Sequence, residues 1–359
     1  IRCFYEIEAS SVVRDRLFND LRDEHGPFDV IGDVHGCLSE LLSLLDALGY
    51  VVERDAQGRP IDAAHEAGRQ VVFVGDLVDR GPDSPGVLRL VMGMAAAGHA
   101  FAVPGNHENK LVRALSGRKV RVSHGLETTL AQLDVEADEF RESVRRWCDG
   151  LVSHLVLDDG RLVVAHAGLP ERYHGRASGR VRAFALYGDT TGETDDFGLP
   201  VRYPWALDYR GRATVLYGHT PTVTPEWVNG TMCLDTGCVF GGHLTALRWP
   251  EREVVQVPAE RVWYEPSRPF PTADPDSPSG TQAQVDPTRG PEDLDLIGRP
   301  RTSSHRDQSS RADLRPRRCC RRSVGGDEPL RDAPALAGLP TADHVTGRDH
   351  RPGGPARTP

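Results

Sequence analysis

Five short segments carry the side chains able to do chemistry in this sequence: Gly32-Asp33-Val34-His35-Gly36, Gly75-Asp76-Leu77-Val78-Asp79-Arg80-Gly81, Gly105-Asn106-His107-Glu108, His166-Ala167-Gly168-Leu169 and Gly218-His219-Thr220-Pro221. They combine carboxylate, amide and imidazole donors. Asp33 and His35 can reach one ion if the backbone bends between them, which Gly32 and Gly36 permit. Asp76 is the natural bridge, because a carboxylate can give one oxygen to each of two ions about 3.5–4 Å apart. Asn106, His166 and His219 would complete the shell of the second ion. Such a mixed oxygen and nitrogen set suits manganese or iron, with zinc or nickel as alternatives. Water activated between two such ions is a nucleophile at neutral pH, so no Ser or Cys nucleophile is required.

The same loops offer partners for a phosphate ester. Arg80, four residues beyond Asp76, can clamp two phosphate oxygens with its planar fork. His107 adjoins Asn106 yet must point away from the ion, which makes it the candidate general acid. Asp79 is placed to orient that imidazole and raise its pKa, as in a His–Asp dyad. Asp235 is a candidate for a substrate contact or for support behind the ligands. The other histidines read as ordinary surface or core side chains, with His124 the one worth checking.

Loops of this kind need a rigid scaffold, and the flanking pattern supplies one. Phe28-Asp29-Val30-Ile31 reads as a buried strand, followed by Leu38, Leu41, Leu42, Leu45 and Leu48 at helical spacing. The phrase recurs at Val71–Val74 with a helix from about Pro85 to Ala97, and again at Ala100–Val103 with a helix after Asn106. Polar loops at the C-terminal ends of such strands collect on one sheet edge. Two helical stretches in 126–150 precede a hairpin, Val152–Leu157 with Leu162–Ala165, that delivers His166. The region from about 170 to 212 interrupts the sheet pattern and reads as a lid or substrate-selecting insertion. Strands then resume at Ala213–Tyr217, Thr231–Leu234, His243–Trp249 and Glu253–Val257. The expected architecture is an α/β fold, a four-layer α/β/β/α sandwich.

Composition bounds the alternatives. The 359 residues carry a formal charge of −9, which argues against a polybasic nucleic-acid coat but leaves room for a local basic cleft. No run approaches 18 apolar residues, so no membrane partner is expected. No signal peptide is legible, and a cytoplasmic chain is expected. Seven cysteines lack paired spacing, and thiolates such as Cys37 and Cys238 suit softer metals than this donor set does. Residues 1–27 read as a linker or strap, 28–265 as the catalytic domain and 266–300 as a Pro/Ser/Gly/Asp linker. Residues 301–359 hold twelve Arg against seven acidic residues, with no aromatic, Lys or Ile, and read as a disordered tail.

The five segments resemble the signature of the calcineurin-like binuclear metallophosphoesterases, phosphoprotein-phosphatase branch, from Phe28 to about Ala259. Within it, Arg22 to Asp29, Tyr187 to Glu193, and Tyr217 through Pro225-Glu226-Trp227-Val228 to Cys238 look like bacterial polynucleotide kinase-phosphatase. That resemblance implies removal of 2′-phosphate, 3′-phosphate or 2′,3′-cyclic phosphate from RNA ends, with manganese or nickel, in a chain that also carries kinase and ligase-like domains. It implies Asp33, His35 and Asp76 on the first metal, Asp76, Asn106, His166 and His219 on the second, Arg80 and Asp235 on phosphate, and His107 with Asp79 on the leaving group. Neither partner domain is encoded here, since no G-x-x-x-x-G-K-[ST] loop and no K-x-D-G motif occur. Residues 292–299 resemble the approach to the ligase-like domain and then the resemblance stops, so a truncated or frameshifted fragment is expected. A protein Ser/Thr phosphatase or diadenosine tetraphosphate hydrolase is the alternative, because the metal core is shared and only the insertion selects substrate. An inactive or unstable fragment of a multidomain repair protein is the third reading, and a homodimer is compatible with all three.

Overall fold

Strand Phe28–Ile31 is buried along its length, and its alternating side chains feed two different cores. In the computed structural model, which describes residues 17–266 and 270, this strand lies at the centre of a six-stranded mixed sheet. Gln70–Phe73 and Ala100–Ala102 extend the sheet in parallel on one side, and His243–Trp249 pairs antiparallel on the other. A second six-stranded sheet is ordered Asp20–Leu21, Leu155–Leu157, Leu162–Val164, Thr214–Tyr217, Thr231–Cys233 and Trp227–Val228.

Phe28, Val30, Val72, Val74 and Val103 of the first sheet meet Leu155, Leu157, Leu162, Val164, Leu216 and Met232 of the second, which forms the core between the sheets. The odd neighbours Ile31, Val71 and Phe73 point outward and pack on helices Leu38–Leu48 and Ser84–Ala97. Val163, Ala165 and Val215 on the far side meet Val181, Phe184 and Ala185 of helix Gly179–Tyr187, together with Trp205. The result is the four-layer α/β/β/α sandwich expected from the strand pattern. Each large side chain taken fully out of water there contributes about 1.5–3 kcal/mol, which makes the strand ends rigid mounts for the loops.

The helices begin where the loops end. Asp83 caps Ser84–Ala97 by accepting from Gly86 N at 2.8 Å, and Gly98 closes it at φ 81°. Helix Asn106–Leu115 starts on the loop residue Asn106 itself. Three features depart from the sequence reading. Tyr50–Arg54 and Pro60–His65 form a separate hairpin whose weak apolar alternation gave no strand signal. The 170–212 region contributes a helix to the outer layer, so part of it is scaffold, while Thr190–Thr194 and Pro200–Arg202 form an exposed hairpin. Asp20–Leu21, inside the stretch read as a strap, pairs in parallel with Leu155–Leu157. The expected linker at 266–300 and the tail at 301–359 fall outside the described residues, apart from Pro266 and Phe270.

Candidate metal centre

All five loops converge at one edge of the two sheets. Asp76, 2% exposed, lies between two groups of donors. Its Oδ2 is 3.6 Å from His35 Nε2, and its Oδ1 is 3.4 Å from His166 Nε2. The two oxygens of one carboxylate thus face different sets. His35, Asp76 and His107 form one cluster, and Asp76, His166 and His219 the other, each with ligand atoms within 4.8 Å of one another. Asn106 Oδ1 joins the second, 3.1 Å from His166 Nε2, and His219 Nδ1 is 3.0 Å from that same nitrogen. Asp33 is buried beside Asp76 and Asp235, and its Oδ2 accepts from His219 N at 3.0 Å.

The imidazoles are held in the tautomer that a metal requires. His35 Nδ1 donates to Val78 O at 2.8 Å and His166 Nδ1 to Val74 O at 3.1 Å, which leaves each neutral Nε2 with a lone pair facing Asp76. Asn106 Oδ1 and Asp76 Oδ1 both face His166 Nε2, and the Asp76 carboxylate raises the pKa of that imidazole, so the position takes positive charge either as a proton on Nε2 or as a metal ion held by it. Asp33 Oδ1 and His219 Nε2 are buried without a hydrogen-bond partner among the described residues. Both observations fit a centre built for cations.

The ionisation of the site tells the same story. Burial, then the charges on Asp235 and Asp76, hold Asp33 well above the ordinary carboxylate range. Burial pushes Asp235 up to about 6. Asp76 is held well below that range because His166 and His107 outweigh the opposing effect of burial. Several carboxylates packed this closely repel one another unless positive charge sits among them.

Arg80, at φ 72°, reaches into the first cluster: its Nη1 donates to His35 Nε2 at 2.6 Å and its Nη2 lies 3.1 Å from His107 Nε2. Coordination at His35 Nε2 and donation from Arg80 exclude each other, since one lone pair serves both. His107 Nδ1 is 2.6 Å from Oδ2 of the fully buried Asp79, and the backbone N of His107 donates to Asp76 Oδ1 at 3.1 Å. Its Nε2 is thereby turned toward Arg80 and lies 3.8 Å from Asp76 Oδ2. Asp235 accepts from Gly237 N at 3.0 Å and stays next to Asp33. All ten residues singled out from the sequence are thus brought together. Cys37 and Cys238 form a separate buried group with Glu40, whose oxygens already accept from Ser39, Glu260 N and Trp263.

One residue at the centre escaped the sequence reading. Glu108, fully buried, accepts from the backbone N–H groups of Asp76 (2.9 Å), Leu77 (2.8 Å) and Gly105 (2.7 Å), and so ties two ligand loops together. Burial and the charge on Asp76 push it up to about 7. Its position directly after Asn106-His107 was the available signal. Glu108→Ala would strand three buried donors, and at about 1–3 kcal/mol each the melting curve should show a loss of about 3 kcal/mol or more. A variant that melts within about 0.5 kcal/mol of the parent would remove Glu108 from this role.

Comparison with known proteins places the chain. A protein of Anoxybacillus flavithermus named bis(5′-nucleosyl)-tetraphosphatase PrpE (asymmetrical) is 48% identical over 249 residues, which cover 68% of this chain and 99% of that protein. A Bacillus subtilis protein of the same name is 46% identical over 245 residues, covering 67% of this chain and 98% of the relative. These relatives bear the name of the alternative reading, the tetraphosphate hydrolase, and not that of polynucleotide kinase-phosphatase; the finer resemblance is corrected accordingly. The fold survives changes in the insertion that alter substrate, so motifs shared by the whole metal core could not separate the two. The described residues include no helix long and apolar enough to cross a membrane. Residues 26–223, more than half of the chain, match calcineurin-like phosphoesterase, and this chain belongs to that family of metal-dependent phosphoric ester hydrolases.

Proposed function

We propose that the chain hydrolyses bis(5′-nucleosyl) tetraphosphates asymmetrically, with two divalent cations at the strand-end centre. The observation that carries the reading is the placement of the two Asp76 oxygens toward separate donor sets. The names of relatives that align over almost their whole length support the substrate class. Asp33, His35 and Asp76 would hold one ion, and Asp76, Asn106, His166 and His219 the other. Manganese suits this set best, with nickel, iron or zinc as alternatives. When bound, the ions supply Lewis acidity and lower the pKa of water.

The remaining work falls to the side chains. Arg80 and Asp235 fix the phosphoryl group undergoing attack, the arginine by neutralising charge that builds on its oxygens. Water adds to phosphorus, the anhydride bond breaks, and the leaving oxygen receives a proton from His107 Nε2. Asp79 holds His107 Nδ1 and so fixes the ring with Nε2 as the nitrogen that serves the leaving oxygen. One product is a nucleoside monophosphate and the other a nucleoside triphosphate.

A rate comparison with manganese tests the reading. The chain is expected to cleave diadenosine tetraphosphate to ATP and AMP with kcat/KM about tenfold or more above its value on a phosphoserine peptide or a 2′,3′-cyclic nucleotide. A preference for the cyclic nucleotide would return the substrate to RNA ends.

A further inference from the structure

Beside the proton donor lies a cavity of about 300 Å³ whose wall includes Asn106 and His107. Four cations line it: Lys110, Arg113, Lys119 and Arg121, with no Asp or Glu among the lining residues. Arg113, Lys119 and Arg121 are exposed and make no ion pair among the described residues. In a chain with formal charge −9, four positive side chains gathered in one concavity are not what solubility or packing demands. Burial, with help from Arg80 and Arg121, holds Lys110 below its ordinary value although Asp79 and Glu127 pull the other way. His124 is lowered by burial and by the charges on Lys110 and Arg80. Every charged neighbour that acts on His124 is thus a cation.

The cavity is also a built feature. Lys110 Nζ donates to Ser123 O at 2.5 Å and so pins the loop that follows helix Asn106–Leu115. Gly125, at φ 88°, sits so close to Arg80 that a Cβ there would lie 2.3 Å from its backbone nitrogen. The basic loop is therefore fixed against the phosphate-clamping arginine. Tyr187, whose hydroxyl accepts from Asn109 at 2.9 Å, is the one Phe, Tyr or Trp in the lining, so the cavity offers a single ring for stacking a base against four cations.

We infer that this cavity binds the triphosphate part of the leaving nucleotide, with Lys119, Arg121 and Arg113 reading the phosphates beyond the scissile bond. The inference rests on the proposed tetraphosphate reading and adds to it the side of the centre on which the longer product lies. His107 decides the side: the group that receives its proton must depart along the wall that His107 forms. Asymmetric cleavage leaves three linked phosphates on that product, and each guanidinium or ammonium can take one set of their oxygens.

The test compares the full chain with a Lys119→Glu/Arg121→Glu variant, and with an Arg54→Glu control in the remote hairpin. The pocket variant is expected to lose kcat/KM on diadenosine tetraphosphate by about tenfold or more beyond any loss on p-nitrophenyl phosphate, as removal of charge-assisted contacts predicts. The control should lose on neither. Inorganic tripolyphosphate, with manganese in excess, should inhibit p-nitrophenyl phosphate turnover with a Ki that rises about tenfold or more in the pocket variant. Equal losses on both substrates, or an unchanged Ki, would overturn the inference. If the parent chain fails to cleave the tetraphosphate, the proposed function falls, and the tripolyphosphate Ki alone decides the pocket. A selective loss on a 3′-phosphorylated oligonucleotide with the Ki unchanged would assign the cavity to RNA and reject the polyphosphate.

Discussion

Asp76→Asn is expected to abolish turnover, with kcat falling by about a thousandfold or more, and to reduce the bound metal on elemental analysis. The physical reason is that both carboxylate oxygens are in use, Oδ2 toward His35 and Oδ1 toward His166. An amide offers one acceptor and turns an N–H donor at the other set, which leaves that set without its bridge. The fold should tolerate the change. The carbonyl can still accept from His107 N, and removing the negative charge relieves Asp33 and Glu108, both of which it pushes upward. A melting temperature at or above the parent's, combined with lost metal and lost activity, separates a broken centre from a broken fold. Full activity with two ions still bound would end the bridging assignment.

His107→Ala should lower kcat on diadenosine tetraphosphate by about 10²–10⁴, the range for a positioned general acid. The loss should be smaller on p-nitrophenyl phosphate, because an acidic phenol departs without needing the proton. Asp79→Asn should reproduce part of the effect through the 2.6 Å contact at Nδ1, which orients the ring. Because the two act as one unit, the double variant should lose little more than His107→Ala alone. Equal losses on both substrates would place His107 in structure or binding instead of proton transfer.

The scaffold was legible because buried strands announce themselves as short apolar runs, and glycine-bounded polar loops follow each one. Phe28–Ile31, Gln70–Phe73 and Leu162–Val164 came out where those runs lie. The Tyr50–Arg54 hairpin did not, since its exposed faces carry no strong alternation. Glu108 was missed for a different reason. Its function is to accept from backbone N–H groups 31 and 32 residues away in sequence, and a backbone donor leaves no mark on residue type.

From sequence alone, residue chemistry and order settled the family: Asp, His, Asn and His at the ends of successive apolar strands admit few other uses. The tertiary structure decided what depends on direction and distance. It turned the two Asp76 oxygens to opposite sides, placed the Nδ1 protons of His35 and His166 on Val78 and Val74, and set Gly125, just beyond the basic loop, against Arg80. Loop spacing in sequence cannot encode these, because they arise from sheet packing that brings positions up to 186 residues apart, such as Asp33 and His219, within hydrogen-bonding distance.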